Sequence, residues 1–269
     1  MKVLVTGSKG FIGQNFLKKF HELGYEVTSF DIKDNPKTRP IDLDLHGCDW
    51  VVHLGAISST TETDVNKIMD LNLLWSIELF ERCYELGVNM QWASSASVYG
   101  KRHERKPFKE TDECIPINYY AKSKYLFEKY LETCCHNVTV QGFRYFNVYG
   151  PHEEHKGNQA SPYTQFAKQA KENGVIKVFE GSEKFTRDFV HVDHVFDIQH
   201  KMMQKDYSNG IYNLGSGVSR SFLDVARDIA LIYDAKIETI PFPERLKSHY
   251  QKYTCADMSI TNNMVGNFI

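Results

Sequence analysis

The segment Gly7-Ser-Lys-Gly10-Phe-Ile-Gly13 constrains this chain most. It lies between the apolar run Val3–Val5 and the helix-spaced series Phe11, Ile12, Phe16, Leu17, Phe20 and Leu23. A short apolar run ending in Thr6-Gly7 suits a strand buried in a parallel sheet. Glycines three apart permit a tight turn, close approach of the backbone to a pyrophosphate, and tight packing of the following helix. The helix start adds unpaired N–H groups and the positive end of its dipole. The spacing departs from Gly-x-Gly-x-x-Gly, and three glycines after a strand can also be a plain turn.

Further strands are read at Val27–Phe30, closed by Asp31, at Trp50–Leu54, at Met90–Ala93 and at Val138–Tyr145. Helical stretches run near Val65–Leu86 and Tyr120–Leu131. Strands separated by helices imply βαβ units. The expected fold is therefore α/β, a doubly wound parallel sheet (Rossmann fold) with a smaller, mixed C-terminal substrate-binding domain. The nucleotide domain is placed at 1–146 plus about 186–214, and the substrate domain at about 147–185 and 215–269. The stretch Asn147–Gly181, rich in Gly, Pro and His, breaks the rhythm.

Charge matters here by what it excludes. Lys and Arg number 32 against 34 Asp and Glu, a net charge of −2, so neither nucleic acid nor an anionic membrane surface is an expected partner. No apolar run approaches the roughly 18–20 residues of a membrane span. Six cysteines without a C-x-x-C pair read as free thiols. Because Lys2–Thr6 already reads as a strand, no signal peptide is expected and the cytoplasm is the expected location. The pairs His152/His155 and His191/His194 lack a third ligand, so no metal is expected.

An acid at the end of a second strand, here Asp31, can accept from a ribose diol and repels a 2′-phosphate. Lys33, Lys37 and Arg39 follow and could neutralise one, or simply form a solvated loop; both NAD and NADP stay open. Tyr120 and Lys124 share one helix face, and a nearby cation favours the phenolate. The run Ala93-Ser94-Ser95-Ala96-Ser97-Val98-Tyr99-Gly100 leaves a strand at the carboxyl edge of the sheet, where ligands bind. Ser95 can donate to the same substrate oxygen that Tyr120 deprotonates.

Taken in order, the glycine loop, Asp31, the Ser-Ser strand end and Tyr-x-x-x-Lys resemble the extended short-chain dehydrogenase/reductase family of nucleotide-sugar enzymes. Ala96 and Ser97 stand where family dehydratases carry an acid pair. From Met1 to about Met258 the chain is similar to the ADP-L-glycero-D-manno-heptose 6-epimerase subfamily. Gly142-Phe-Arg-Tyr-Phe-Asn-Val-Tyr-Gly-Pro151 followed by His155-Lys156 is the most specific part. The resemblance implies oxidation at the sugar's C6 by NAD or NADP, one tightly bound per subunit, and hydride return to the opposite face.

Tyr120 would serve one epimer and Lys156 the other, with Ser95 and Lys124 completing the catalytic set. A lysine acting as base needs its pKa lowered, and Lys124 is the expected neighbour. Gly7, Gly10, Phe11, Ile12, Gly13, Asp31, Ile32, Lys37, Leu54, Gly55, Ala56, Ile57, Ser58, Asn72, Tyr120, Lys124 and Val148 would meet the cofactor. Ser95, Asn147, Asn158, Gln165, Phe179, Glu180, Gly181, Ser182, Arg187 and Tyr250 would hold the nucleotide sugar.

Ile32 replaces the subfamily's Asn, Asn158 its Ser and Gln165 its His, departures that bear on cofactor and sugar identity. A helix is expected to be missing before Trp50, and the chain ends at Ile269, short of a terminal amphipathic helix. The subfamily forms homo-oligomers. Two rival readings are a 4-epimerase or reductase on another NDP-sugar, and a non-catalytic dinucleotide-binding module.

Overall fold

Alternating short apolar runs and amphipathic segments give a strand–helix–strand chain in the computed structural model, which describes residues 1–102, 104–134, 137–204, 208–244 and 251–266. In chain order the strands are β1 (Lys2–Thr6), β2 (Glu26–Phe30), β3 (Trp50–His53), β4 (Asn89–Ser95), β5 (Val140–Tyr145), β6 (Asn147–Tyr149), β7 (Val175–Phe179), β8 (Thr186–His191), β9 (Gly210–Leu214), β10 (Ser219–Ser221) and β11 (Lys236–Ile240). The helices are α1 (Phe11–Glu22), α2 (Val65–Ile68), α3 (Trp75–Leu86), α4 (Tyr119–Glu132), α5 (Pro162–Asn173), α6 (Val192–Met203), α7 (Phe222–Tyr233) and α8 (Ser259–Val265).

Six strands pair in the order β2-β1-β3-β4-β5-β9, every pair parallel. Both faces of such a sheet must be covered. On β1, Val3 and Val5 face a core holding Phe16 and Phe20 of α1 with Phe196 and Ile198 of α6. Leu4, between them, faces the opposite core with Trp75 and Leu79 of α3 and Phe127 of α4. Alternation along the strand thus feeds two helical layers. Since β2 and β3 flank β1 on opposite sides, the chain reverses direction across the sheet there, and a crevice opens at the carboxyl ends of β1 and β3.

Two elements differ from the sequence reading. The helix expected over Val65–Leu86 is continuous but not uniform, since Met69–Leu74 is a π turn joining α2 to α3. Asn147–Gly181, read as irregular, contains β6, α5 and β7. Its helix starts where Ser161 caps and Pro162 supplies a preset φ at the first position. The stretch between β2 and β3 holds only a short 3₁₀ turn at Pro40–Asp42, in line with the missing helix. Two small sheets, β10-β8-β6 and β11-β7, pack with α5 and α7 around Phe166, Ile176, Val225 and Ile229. Among the described residues no helix is long and apolar enough to cross a membrane. Cys48, Cys83, Cys114, Cys134 and Cys255 are unbridged.

Candidate active site

The glycine loop is built by backbone packing. Gly7 adopts φ +69°, and a Cβ there would lie 2.6 Å from the backbone of Gly55. A Cβ on Gly13 would lie 2.2 Å from the Gly7 carbonyl oxygen. Only glycine lets the loop, α1 and the segment after β3 approach so closely. Asp31, 4% exposed, accepts from the amides of Lys9 (2.8 Å) and Lys33 (3.0 Å) and so anchors the loop to the end of β2.

Above these strand ends lies a cavity of about 630 Å³. Gly7, Gly10, Phe11, Ile12, Gly13, Asp31 and Ile32 line one part of it, with Leu54, Gly55, Ala56, Ile57 and Ser58 alongside. Ser95, Tyr120, Lys124, Asn147, Val148 and Lys156 line the rest. These residues fit a dinucleotide: the loop offers backbone N–H groups and a helix start, and Asp31 offers a carboxylate to ribose hydroxyls.

Tyr120 is half-buried on α4, whose start is fixed by the Asn118 side chain accepting from the Ala121 amide at 2.8 Å. One turn on, Lys124 is 2% exposed. The expectation that Lys124 lowers the phenol's pKa is corrected by the structure. Burial pushes Tyr120 up, opposed by a hydrogen bond with Ser95. Burial also lowers Lys124 to about 8, against the pull of the Glu128 charge. Desolvation, the larger cause at both groups, penalises phenolate and ammonium alike. Ser95 itself accepts from the Ser97 amide (3.2 Å) and lies 2.9 Å from the Ser97 hydroxyl.

Lys156 lies in a short turn, Glu154–Gln159, bent at Gly157. Its ionic partner is Glu153 (3.4 Å), and its Nζ lies 5.1 Å from the centre of the Phe11 ring. Gln159 donates to the Ser59 hydroxyl at 3.0 Å, so this turn meets the segment after β3.

Other expected residues sit elsewhere. Lys37 is exposed and does not line the cavity, its amide donating to Asn35. Asn72 stands behind the lining in the π turn, fully buried. It accepts from the Ile57 amide (2.8 Å) and donates to the Ile57 carbonyl (3.0 Å) and the Ser123 hydroxyl (3.1 Å). Gln165, on α5, donates to the Ala160 carbonyl.

Phe179 ends β7, and Glu180, Gly181 and Ser182 turn away from it, the Ser182 amide donating to the Phe179 carbonyl at 3.0 Å. Arg187 on β8 lies over the Phe222 ring at 5.5 Å and donates to the carbonyls of Thr186 (2.9 Å) and Gln251. Gln165, Phe179, Glu180, Gly181, Ser182 and Arg187 do not line the cavity. Tyr250 and the Asn158 side chain lie outside the described residues. Among the described residues no group of three His, Cys, Asp or Glu side chains could hold a metal ion.

Three residues absent from the sequence reading matter to this site. Glu128 is 1% exposed and accepts from Ser94 Oγ (2.5 Å) and from Arg144 Nε (3.0 Å) and Nη2 (2.6 Å). Its signal is its place one turn beyond Lys124. Glu153 could have been flagged by its i, i+3 spacing to Lys156. His53, at the end of β3, lies 2.6 Å from Thr6 Oγ1 and 2.9 Å from Ser76 Oγ. Burial and then the Lys124 charge lower its pKa to about 3, so it stays neutral.

A sequence profile described as the NAD dependent epimerase/dehydratase family matches residues 3–215. The chain is 36% identical over 286 aligned residues, 95% of this chain and 89% of the relative, to a Brachyspira hyodysenteriae protein named ADP-L-glycero-D-manno-heptose-6-epimerase. Its fold matches that of the Helicobacter pylori ADP-L-glycero-D-manno-heptose-6-epimerase with TM-score 0.85 and 26% identity, over 99% of this chain and 90% of that one. The Thermotoga maritima UDP-glucose 4-epimerase, solved with UDP-glucose, gives the same TM-score of 0.85 at 26% identity, over 99% of this chain and 93% of that one. The profile match and this likeness along nearly the whole length make the chain a member of the NAD dependent epimerase/dehydratase family.

Proposed function

We propose that this protein inverts C6 of ADP-glycero-manno-heptose by oxidation to a C6 ketone and re-reduction on the opposite face. The observation that carries the reading is that Tyr120 with Ser95 and Lys124, and Lys156 from a separate turn, line one cavity with the glycine loop. Similarity to the Brachyspira relative supports the choice of sugar nucleotide.

The bound NAD would accept a hydride from C6 and return it. Gly7–Gly13 would hold its pyrophosphate and Asp31 its ribose, which favours NAD over NADP because a buried carboxylate repels a 2′-phosphate. Tyr120 takes the hydroxyl proton of one epimer while Ser95 donates a hydrogen bond to the same oxygen. Lys124, one turn on along α4, would meet the bound cofactor. Lys156 gives the proton to the oxygen of the other epimer, whose hydroxyl points away from Tyr120. Residues 1–146 with about 186–214 would form the cofactor domain. Residues 147–185 and 215–269 would receive the ADP-sugar, with Asn147, Phe179–Ser182 and Arg187 on it. We take the working form to be a cytoplasmic homo-oligomer.

Proton NMR of the protein with ADP-D-glycero-D-manno-heptose in D₂O tests this. Appearance of the C6 epimer without deuterium at C6 is expected. Deuterium at C6 would refute hydride return. No conversion of this substrate, with turnover of UDP-glucose at C4, would favour the second reading, which the likeness to the Thermotoga enzyme supports. That reading also leaves Lys156 dispensable.

A further inference from the structure

A buried carboxylate is costly unless donors surround it. Glu153, 1% exposed, has three, all from the start of α5: the Ser161 amide (2.7 Å), the Ser161 hydroxyl (2.6 Å) and the Thr164 hydroxyl (2.8 Å). These fix the carboxylate without any help from Lys156. A carboxylate has about four acceptor sites, and Lys156 Nζ lies 3.4 Å from Oε1.

A lysine on a flexible four-carbon stem has no geometry of its own. Here the Glu153 charge holds it on one side and the Phe11 ring, 5.1 Å from Nζ, lies on another. Phe11 opens α1 at the glycine loop. The ammonium is thereby held between the sugar-side turn and the cofactor loop. Glu153 is not needed as a cap for α5, because Ser161 already accepts from the Thr164 amide.

We infer that Glu153 is the positioning residue for Lys156, holding its Nζ where it can exchange a proton with the C6 oxygen of one epimer. This rests on the reading of Lys156 as the second proton-transfer group. Glu153 reaches the cavity wall but is 1% exposed there and acts through Lys156, so the epimer that Tyr120 serves is expected not to depend on it.

The test uses the full chain with its bound dinucleotide, and each C6 epimer of ADP-heptose is mixed separately with enzyme in a single turnover. The near-ultraviolet absorbance of the reduced dinucleotide is followed. Glu153→Gln keeps size and acceptor but removes the charge. Its expected effect is unchanged cofactor reduction by the epimer that Tyr120 serves. The other epimer is slowed at least about tenfold, below the 10²–10⁴-fold worth of a proton-transfer group itself. Steady-state kcat falls while KM holds.

Glu153→Asp keeps the charge, drawn back by one methylene, and is expected to restore part of the loss on the same epimer. Equal slowing of both epimers, or of neither, with circular dichroism and bound dinucleotide unchanged, overturns the inference. If the Gln variant does not fold, the Asp variant carries the same comparison, and equal slowing there overturns it too. Lys156→Ala separates the two readings. Selective loss in Lys156→Ala without loss in Glu153→Gln removes only the role of Glu153. Wild-type turnover of both epimers by Lys156→Ala removes both.

Discussion

Replacing Glu128 by glutamine should damage the fold and the site together, in ways that can be measured separately. Glu128 takes two hydrogen bonds from Arg144, whose side chain is 7% exposed and lies 4.7 Å from the centre of the Tyr99 ring. Without its ion-pair partner the buried guanidinium keeps the Glu110 carbonyl at 3.1 Å. Breaking a buried pair from one side costs about 3–5 kcal/mol, a large share of a domain stability of about 5–15 kcal/mol. Urea unfolding followed by circular dichroism reads that loss.

The second effect follows from Lys124, which burial has lowered to about 8 while Glu128 opposes the shift. With Glu128 neutral, burial acts unopposed and the Lys124 pKa falls further. Activity that needs its positive charge then declines from a lower pH, so the alkaline limb of the rate profile moves toward neutrality. The double variant Glu128→Leu/Arg144→Met should regain most of the stability, since an apolar pair of similar volume is no worse than a buried ion pair. It should not regain the pH profile. A stability loss under about 1 kcal/mol, or an unmoved alkaline limb, would refute the reasoning.

Two further outcomes are expected. His53 takes up no proton in the fold until about pH 3, whereas the unfolded chain does so below about 6.5, so across that window stability is lost as the pH is lowered, by about 1.4 kcal/mol per pH unit. His53→Asn should flatten the wild-type slope between about pH 6 and about pH 5 by that amount, and parallel slopes would sink the claim. Gly13→Ala sets a Cβ 2.2 Å from the Gly7 oxygen and 2.9 Å from Ser8 Cα, both backbone atoms. Overpacking of about 1–3 kcal/mol then exceeds the roughly 1 kcal/mol gained in helix propensity. Titration calorimetry should show dinucleotide affinity lower by at least about tenfold, and unchanged affinity would mean the loop does not cradle the pyrophosphate.

What is legible in the sequence is what a local period places. Gly7–Gly13, Asp31, Ser95, Tyr120 and Lys124 each sit at a strand end or on one helix face, and the 2.0 and 3.6 periods carry them to one sheet edge. α5 is hidden because Gly157 and Pro162 read as loop punctuation, although Pro162 in fact starts the helix. The reading of Tyr120 fails in direction because spacing shows its cation and not its desolvation. Contacts such as Gln159 with Ser59 join residues far apart in sequence, and no residue type at either position announces them.

The π turn at Met69–Leu74 sets local and global optima against each other. An α-helix bonds its backbone better, and one residue fewer between α2 and α3 would restore an unbroken one. That deletion would also swing everything before it by about 100° relative to everything after it. Asn72 could no longer grip Ile57 on the cofactor side and Ser123 on the Tyr120 helix at once. The most comfortable helix for this stretch is one in which the cavity floor and the proton-transfer helix lose their common register. A screen for greater helix stability alone would therefore select against the site.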